Sequence, residues 1–128
     1  MVAIKLHIHS DKKVVKIFLE ELKEILNADD FNIERNMIIV KSSKDEIEYD
    51  LEYDSFDVVE RLKELTISEY SETLVDRDDD NPPLLFVFGI DINNKLIYIK
   101  LKIKEEITKK ILCLSFHYAK HDMEFPYK

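Results

Sequence analysis

The chain contains one glycine, Gly89, and one cysteine, Cys113. A single glycine cannot build a glycine-rich phosphate cradle, and neither the P-loop nor the dinucleotide-binding fingerprint is present. A single cysteine cannot close an internal disulfide, which fits a reducing cytoplasm. No zinc-ligand spacing surrounds it, so it reads as an inert sheet residue, and no nucleophile elbow is found either. No apolar run approaches the ~20 residues needed to span a bilayer. The opening MVAIKLHIHSDKK lacks the apolar core and small-residue cleavage site of a signal peptide. The expectation is a cytoplasmic chain with no membrane partner, no cofactor and no metal.

What is present is enough for one folded domain over residues 1–128. The composition is 45% hydrophobic and 36% charged, which is globular rather than disordered. The net charge of −8 hides an asymmetry. Residues 45–82 hold fifteen Asp/Glu against three Lys/Arg, whereas residues 95–128 hold eight Lys against four Asp/Glu. A basic strand pair on an acidic body is compatible with nucleic acid, because the local field at a site matters more than the total.

Periodicity predicts an α+β fold, an antiparallel sheet with two main helices packed on one face. Residues 11–28 carry Val14, Val15, Phe18, Leu19, Leu22, Ile25 and Leu26 at helical spacing, with Ser10 or Asp11 as the cap. Residues 55–65 repeat the pattern with Val58, Val59, Leu62 and Leu65, with Ser55 as the cap. Thr66 and Glu69 then have capping-box spacing, opening a short helical turn through Tyr70. Residues 2–9 alternate as a short strand or arm. Its His7 and His9 would share a face as a potential metal pair, without further evident ligands. Residues 31–40 read as a strand, 41–46 as a polar turn and 47–53 as a strictly alternating strand. The carboxylates of that last strand, Glu48, Asp50 and Glu52, read as solvated rather than catalytic. Residues 71–83 read as an acidic loop. Its Asp78–Asp80 run lacks the glycine and glutamate of a calcium loop, and Pro82-Pro83 stiffens its exit.

The stretch 84–118 predicts three antiparallel strands at 84–91, 96–104 and 110–118. Asn93-Asn94 supplies the two-residue turn, since Asn tolerates positive φ. That turn sets Phe86 opposite Leu101, Phe88 opposite Ile99 and Gly89 opposite Tyr98. A second loop centred on Ile107-Thr108 sets Leu101 opposite Leu114, Lys100 opposite Ser115 and Tyr98 opposite His117. Ile97, Ile99, Leu101, Leu112, Leu114 and Phe116 then share one face. The other face carries Tyr98, Lys100, Lys102, Ser115 and His117 beside the side-chain-free gap at Gly89. The tail from Ala119 alternates Met123, Phe125 and Tyr127, which suits cover for a sheet edge.

The strings LTISEY (65–70), LLFVFG (84–89), IYIKLKI (97–103), ILCLSFH (111–117) and MEFPY (123–127), with an acidic loop after the first, resemble the MqsR-type toxins of bacterial type II toxin–antitoxin systems, in the branch from Gram-positive bacteria. The likeness covers mainly the C-terminal half. It implies a RelE-like fold and a metal-independent, ribosome-independent mRNA endonuclease held inactive by a cognate antitoxin. It also implies activity at Tyr98, in the YIK strand, and at His117, after the SF dipeptide. Where the family's active-site lysine would fall, this chain has Ser71-Glu72.

The residues themselves suit that chemistry. RNA cleavage without a metal needs a base for the 2′-hydroxyl, an acid for the leaving 5′-oxygen and cations for the phosphorane. His117 is the natural acid or base, because an imidazole titrates near working pH. Lys100 stands beside it as a catalytic cation. Lys102 and Ser115 suit substrate binding, Tyr98 suits hydrogen bonding or base stacking, Gly89 leaves room for a backbone, and His121 is a spare base. Each has a plainer reading: His117 as a bonded surface residue, the lysines as the wet side of a strand, Tyr98 as packing beneath the tail. The rival function is a non-enzymatic binding or inhibitor protein that presents the acidic surface of 45–82 to a basic partner.

Overall fold

The computed structural model describes residues 5–39, 52–76, 84–104 and 107–128. The fold is α+β. Strand β1 is Lys5–Ile8, followed by helices α1 (Lys12–Asn27) and α2 (Ile33–Asn36) and strand β2 (Met37–Ile39). Helix α3 (Ser55–Lys63) and a 3-10 turn (Ile67–Glu69) lead into β3 (Tyr70–Asp76), β4 (Leu84–Ile92), β5 (Lys95–Lys104) and β6 (Lys110–Tyr118). The six strands form one sheet in the order β1-β3-β4-β5-β6-β2. It is mixed, antiparallel everywhere except between β2 and β6.

One face of the sheet is covered by α1 and α3. Val15, Leu19, Leu22 and Leu26 of α1 and Val58, Val59 and Leu62 of α3 pack on Phe86, Phe88, Ile99, Leu101 and Phe116. Phe18 lies flat on Phe86, with ring centroids 4.1 Å apart. At ~25 cal/mol per Å² of apolar surface removed from water, this helix-on-sheet core is the main stabilising term. The helix predicted over 11–28 is therefore found. The cap of α3 is Asp54 rather than Ser55: its carboxylate accepts from the Asp57 N–H at 2.9 Å, and Asp57 returns the bond to the Asp54 N–H at 3.0 Å. The Thr66 N–H donates to the Glu69 carboxylate at 2.9 Å, as the spacing predicts.

The hairpin β4–β5 has the predicted register, with Phe86 opposite Leu101, Phe88 opposite Ile99 and Gly89 opposite Tyr98. Asn93 and Asn94 take φ of 53° and 66°, the left-handed turn expected of them. The next hairpin departs from expectation. Tyr98 opposes His117 and Lys100 opposes Ser115, but Leu101 opposes Cys113, not Leu114. A bulge at Leu114 resets the alternation. Ile111, Cys113 and Phe116 consequently enter the helix-covered core, and Leu114 turns to the opposite face.

Three other expectations need correction. The strand predicted over 31–40 is mostly replaced by α2, because the Asn32 side chain accepts from the N–H groups of Glu34 and Arg35 and nucleates a turn. Residues 71–76, predicted as loop, form β3, held between β1 and β4. The tail crosses a face of the sheet rather than an edge. Met123 joins a small second cluster on Leu74, Leu85 and Val87, with Tyr98 and Leu114 beside it. Tyr127 stacks on Tyr70 at 5.7 Å and donates its hydroxyl to the Ser10 carbonyl. The turn predicted at 41–46, most of the strand predicted over 47–53 and the Asp78–Asp80 and Pro82-Pro83 segments lie outside the described residues; Glu52 and Tyr53 are described and are not in a strand.

Candidate functional site

The face of the sheet opposite the helices, which the tail partly crosses, carries the site, and strand parity decides who sits there. Tyr98 and His117 are opposite each other on β5 and β6. Their rings stack, with centroids 5.4 Å apart and planes 12° from parallel. Nδ1 of His117 lies 2.9 Å from the Tyr118 carbonyl oxygen. A carbonyl can only accept, so Nδ1 carries the hydrogen, and in the neutral ring the lone pair is on Nε2.

β3 and β1 bring the other half. Glu72 lies opposite Val87, and His7 lies opposite Leu74. His7 and Glu72 are thus diagonal neighbours on one face, and the His7 Nδ1 sits 2.7 Å from a Glu72 carboxylate oxygen. Burial, and secondarily the Glu72 charge, hold the Tyr98 phenol above its ordinary range. The hydroxyl therefore stays protonated and available to donate.

These four side chains line one pocket of about 440 Å³, closed on the tail side by Lys120, His121, Asp122, Met123 and Glu124. Its floor includes Val87 and Ser71. Among the described residues, no group of three or more His, Cys, Asp or Glu side chains is placed to hold a metal ion.

The sequence-predicted residues divide. Tyr98, His117 and His121 come together in the pocket. Lys100 and Ser115 face each other on neighbouring strands, outside the pocket lining. Lys102 is only 2% exposed, which removes it as a phosphate ligand. The gap at Gly89 is already filled: a Cβ there would lie 2.8 Å from the Phe125 ring, so tail packing rather than a substrate backbone occupies it. Cys113 is fully buried, its thiol pushed up to about 12 by burial, which agrees with an inert residue. Tyr98 does pack beneath the tail, against Met123's cluster, and still faces the pocket.

His7 and Glu72 escaped the sequence reading of the site. The β1–β3 pairing that unites them joins residues 65 positions apart, and no local pattern announces it. The one local sign is that His7 and His9 share strand parity, which reads as a potential metal pair without further evident ligands and says nothing of Glu72.

Among the described residues, no helix is long and apolar enough to cross a membrane. Comparison of the chain with protein-family models, curated proteins and solved structures finds no match.

Proposed function

We propose that this chain is an endoribonuclease that cleaves RNA by acid–base catalysis without a metal. The observation that carries this reading is His117, its Nδ1 committed to a backbone carbonyl and its Nε2 left as a base, stacked on a tyrosine that keeps its proton. His117 takes the proton of the 2′-hydroxyl. The Tyr98 hydroxyl donates to a phosphoryl oxygen as charge builds, and the Lys120 ammonium on the pocket wall offsets that charge. The resemblance to MqsR-type toxins supports the same chemistry. It also supports the finer proposals of a RelE-like fold and an mRNA-cleaving toxin restrained by an antitoxin.

The test is incubation of the purified chain with a long single-stranded RNA in excess chelator, beside His117→Ala and Tyr98→Phe. The expected result is cleavage by the wild type, lost by ~100-fold or more in His117→Ala and reduced in Tyr98→Phe. Cleavage absent from all three, or unchanged by both substitutions, overturns the proposal.

One observation favours the rival binding protein: Glu72, Asp122 and Glu124 rim the pocket, while Lys102 is withdrawn from the surface. Salt dependence separates the two. RNA binding that weakens steeply with salt supports the nuclease; capture of a basic protein with no RNA binding supports the rival.

A further inference from the structure

A base at His117 needs a second group that protonates the leaving 5′-oxygen. Four neutral or cationic side chains of the pocket lining can donate a proton: His7, Tyr98, Lys120 and His121. Phenols and ammonium groups release theirs well above neutral pH, whereas an imidazolium does so at about pH 6.5. Two histidines are left. His7 is out of reach of the base. Its strand β1 stands four ladder steps from β6, about 19 Å at ~4.8 Å per step. Met123 of the tail, packed on Leu74, Leu85 and Val87, lies between them.

His121 is held near the base by the chain on both sides of it. On the near side, His117 is four residues back, and the Ala119 N–H donates to the Leu96 carbonyl of β5 at 2.9 Å. On the far side, the Met123 methyl lies 3.1 Å from the place of a Gly89 Cβ. Gly89, Tyr98 and His117 stand side by side on β4, β5 and β6. The segment 119–123 therefore crosses from β6 to β4 over β5, the strand that carries Tyr98. His121 is its middle residue, two positions from each anchor and within about 7 Å of either along the chain. The sheet presents His117 from below, and the tail brings His121 over the same pocket from outside. His121 is exposed, and among the described residues its ring has no hydrogen-bond partner. His7 and His117 each commit Nδ1 to a neighbour; His121 keeps both nitrogens for a ligand.

We infer that His121 is the general acid that protonates the leaving 5′-oxygen opposite His117. The inference rests on the ribonuclease reading of this site and assigns its second proton. The 2′-hydroxyl proton passes to Nε2 of His117 as the O2′–P bond forms. The P–O5′ bond breaks, its electron pair stays on O5′, and a ring N–H of the His121 imidazolium gives its proton to that oxygen. The products are a 2′,3′-cyclic phosphate and a 5′-hydroxyl. Solvent returns a proton to His121 and removes one from His117.

The assignment makes a leaving-group prediction that a merely structural role for His121 would not. The substrates are an RNA oligonucleotide containing the bond that the wild type cuts, and the same oligonucleotide with sulfur replacing the bridging 5′-oxygen at that bond. A departing thiolate needs no proton. His121→Ala is expected to lose ~100-fold or more on the oxygen substrate and to stay within a few fold of wild type on the sulfur one. His117→Ala is expected to lose on both, because the 2′-hydroxyl still needs its base. His7→Ala is expected to show no loss selective for oxygen. His121 lies outside the buried core, so its removal leaves the sheet intact. Equal losses by His121→Ala on both substrates, no loss on the oxygen substrate, or an oxygen-selective loss in His7→Ala overturn the assignment while the ribonuclease reading survives. A wild type inert on both substrates overturns the ribonuclease reading and the assignment with it.

Discussion

His117 lies flat on Tyr98, with 5.4 Å between ring centroids, and the two residues occupy directly opposed positions on β5 and β6. Opposition across a ladder fixes both side chains on the same face. Stacking then limits the rotation of each ring, while the Tyr118 carbonyl settles which imidazole nitrogen is free. The pair is preorganised by backbone register, so its geometry does not depend on a mobile loop.

The first prediction concerns Tyr98. Its phenol is raised above the ordinary value of 10.0, first by burial and then by Glu72. Glu72→Gln removes the second cause and leaves the first. The Tyr98 titration should move down in that variant but remain above the ordinary value. The sign for stability follows. A raised value means the folded state keeps a proton that the unfolded chain releases, so this contribution is present below pH ~10 and is lost as pH rises through the folded value. The measurement is a pH titration by NMR of chain carrying carbon-13 tyrosine, with Tyr98→Phe to assign the signal. A Tyr98 that titrates at or below the ordinary value, or ignores Glu72→Gln, contradicts this account.

The second prediction concerns the polar island beneath the tail. Tyr70 is fully buried. Its hydroxyl accepts from the Ser10 N–H at 2.9 Å and pairs with the Thr73 hydroxyl at 2.6 Å, which in turn pairs with the Ser10 hydroxyl at 2.7 Å. Tyr70→Phe keeps the ring that meets Phe88 edge-on and stacks on Tyr127. It leaves the buried Ser10 N–H without that acceptor, which costs about 1–3 kcal/mol. Ser10→Ala should cost less, because Tyr70 and Thr73 still satisfy each other. Denaturant midpoints for the two variants check the order, and equal costs would show the network to be solvated.

How far these elements could be read in advance depended on whether the deciding interaction was local. The helices at 12–27 and 55–63 and the Asn93-Asn94 turn are specified by spacing within a few residues, and they were legible. The pairing of Tyr98 with His117 agrees with a loop centred on Ile107-Thr108, although the ladder nearer that loop is one residue out of the expected register and the bulge at Leu114 restores it. The bulge itself was not legible. Leu112, Cys113 and Leu114 are apolar in both parities, so no alternation marks the slip, and the core's demand for Cys113 and Phe116 together decides it. Strand β3 was hidden because Ser71-Glu72-Thr73 reads as polar loop until β1 and β4 flank it. The His7–Glu72 pair is a product of that same long-range pairing, so the half of the site on β1 and β3 was out of reach while the half on β5 and β6 was not.

The third prediction explains the one glycine. Gly89 has no positive φ, so its backbone asks nothing that another residue could not supply. Space is the reason for it. A Cβ at this position would lie 2.8 and 2.9 Å from two Phe125 ring carbons and 3.1 Å from the Met123 methyl. Gly89→Ala should therefore lift the tail rather than unfold the sheet, with an overpacking cost of about 1–3 kcal/mol. Phe125→Ala removes the obstacle. In that background Gly89→Ala should be neutral or stabilising, since glycine in a strand interior costs roughly 0.5–1 kcal/mol relative to alanine. The four chains of this cycle give the coupling directly. Limited proteolysis should show early cleavage in the tail, after Lys120 or Tyr127, in Gly89→Ala, with strands β4 to β6 protected. Because the tail also supplies Lys120, His121 and Glu124 to the pocket wall, a lifted tail should, on the proposed ribonuclease reading, weaken RNA binding while the stacked pair of Tyr98 and His117 stays in place. An alanine at 89 that costs the same with and without the Phe125 ring would show that the glycine answers to something other than the tail.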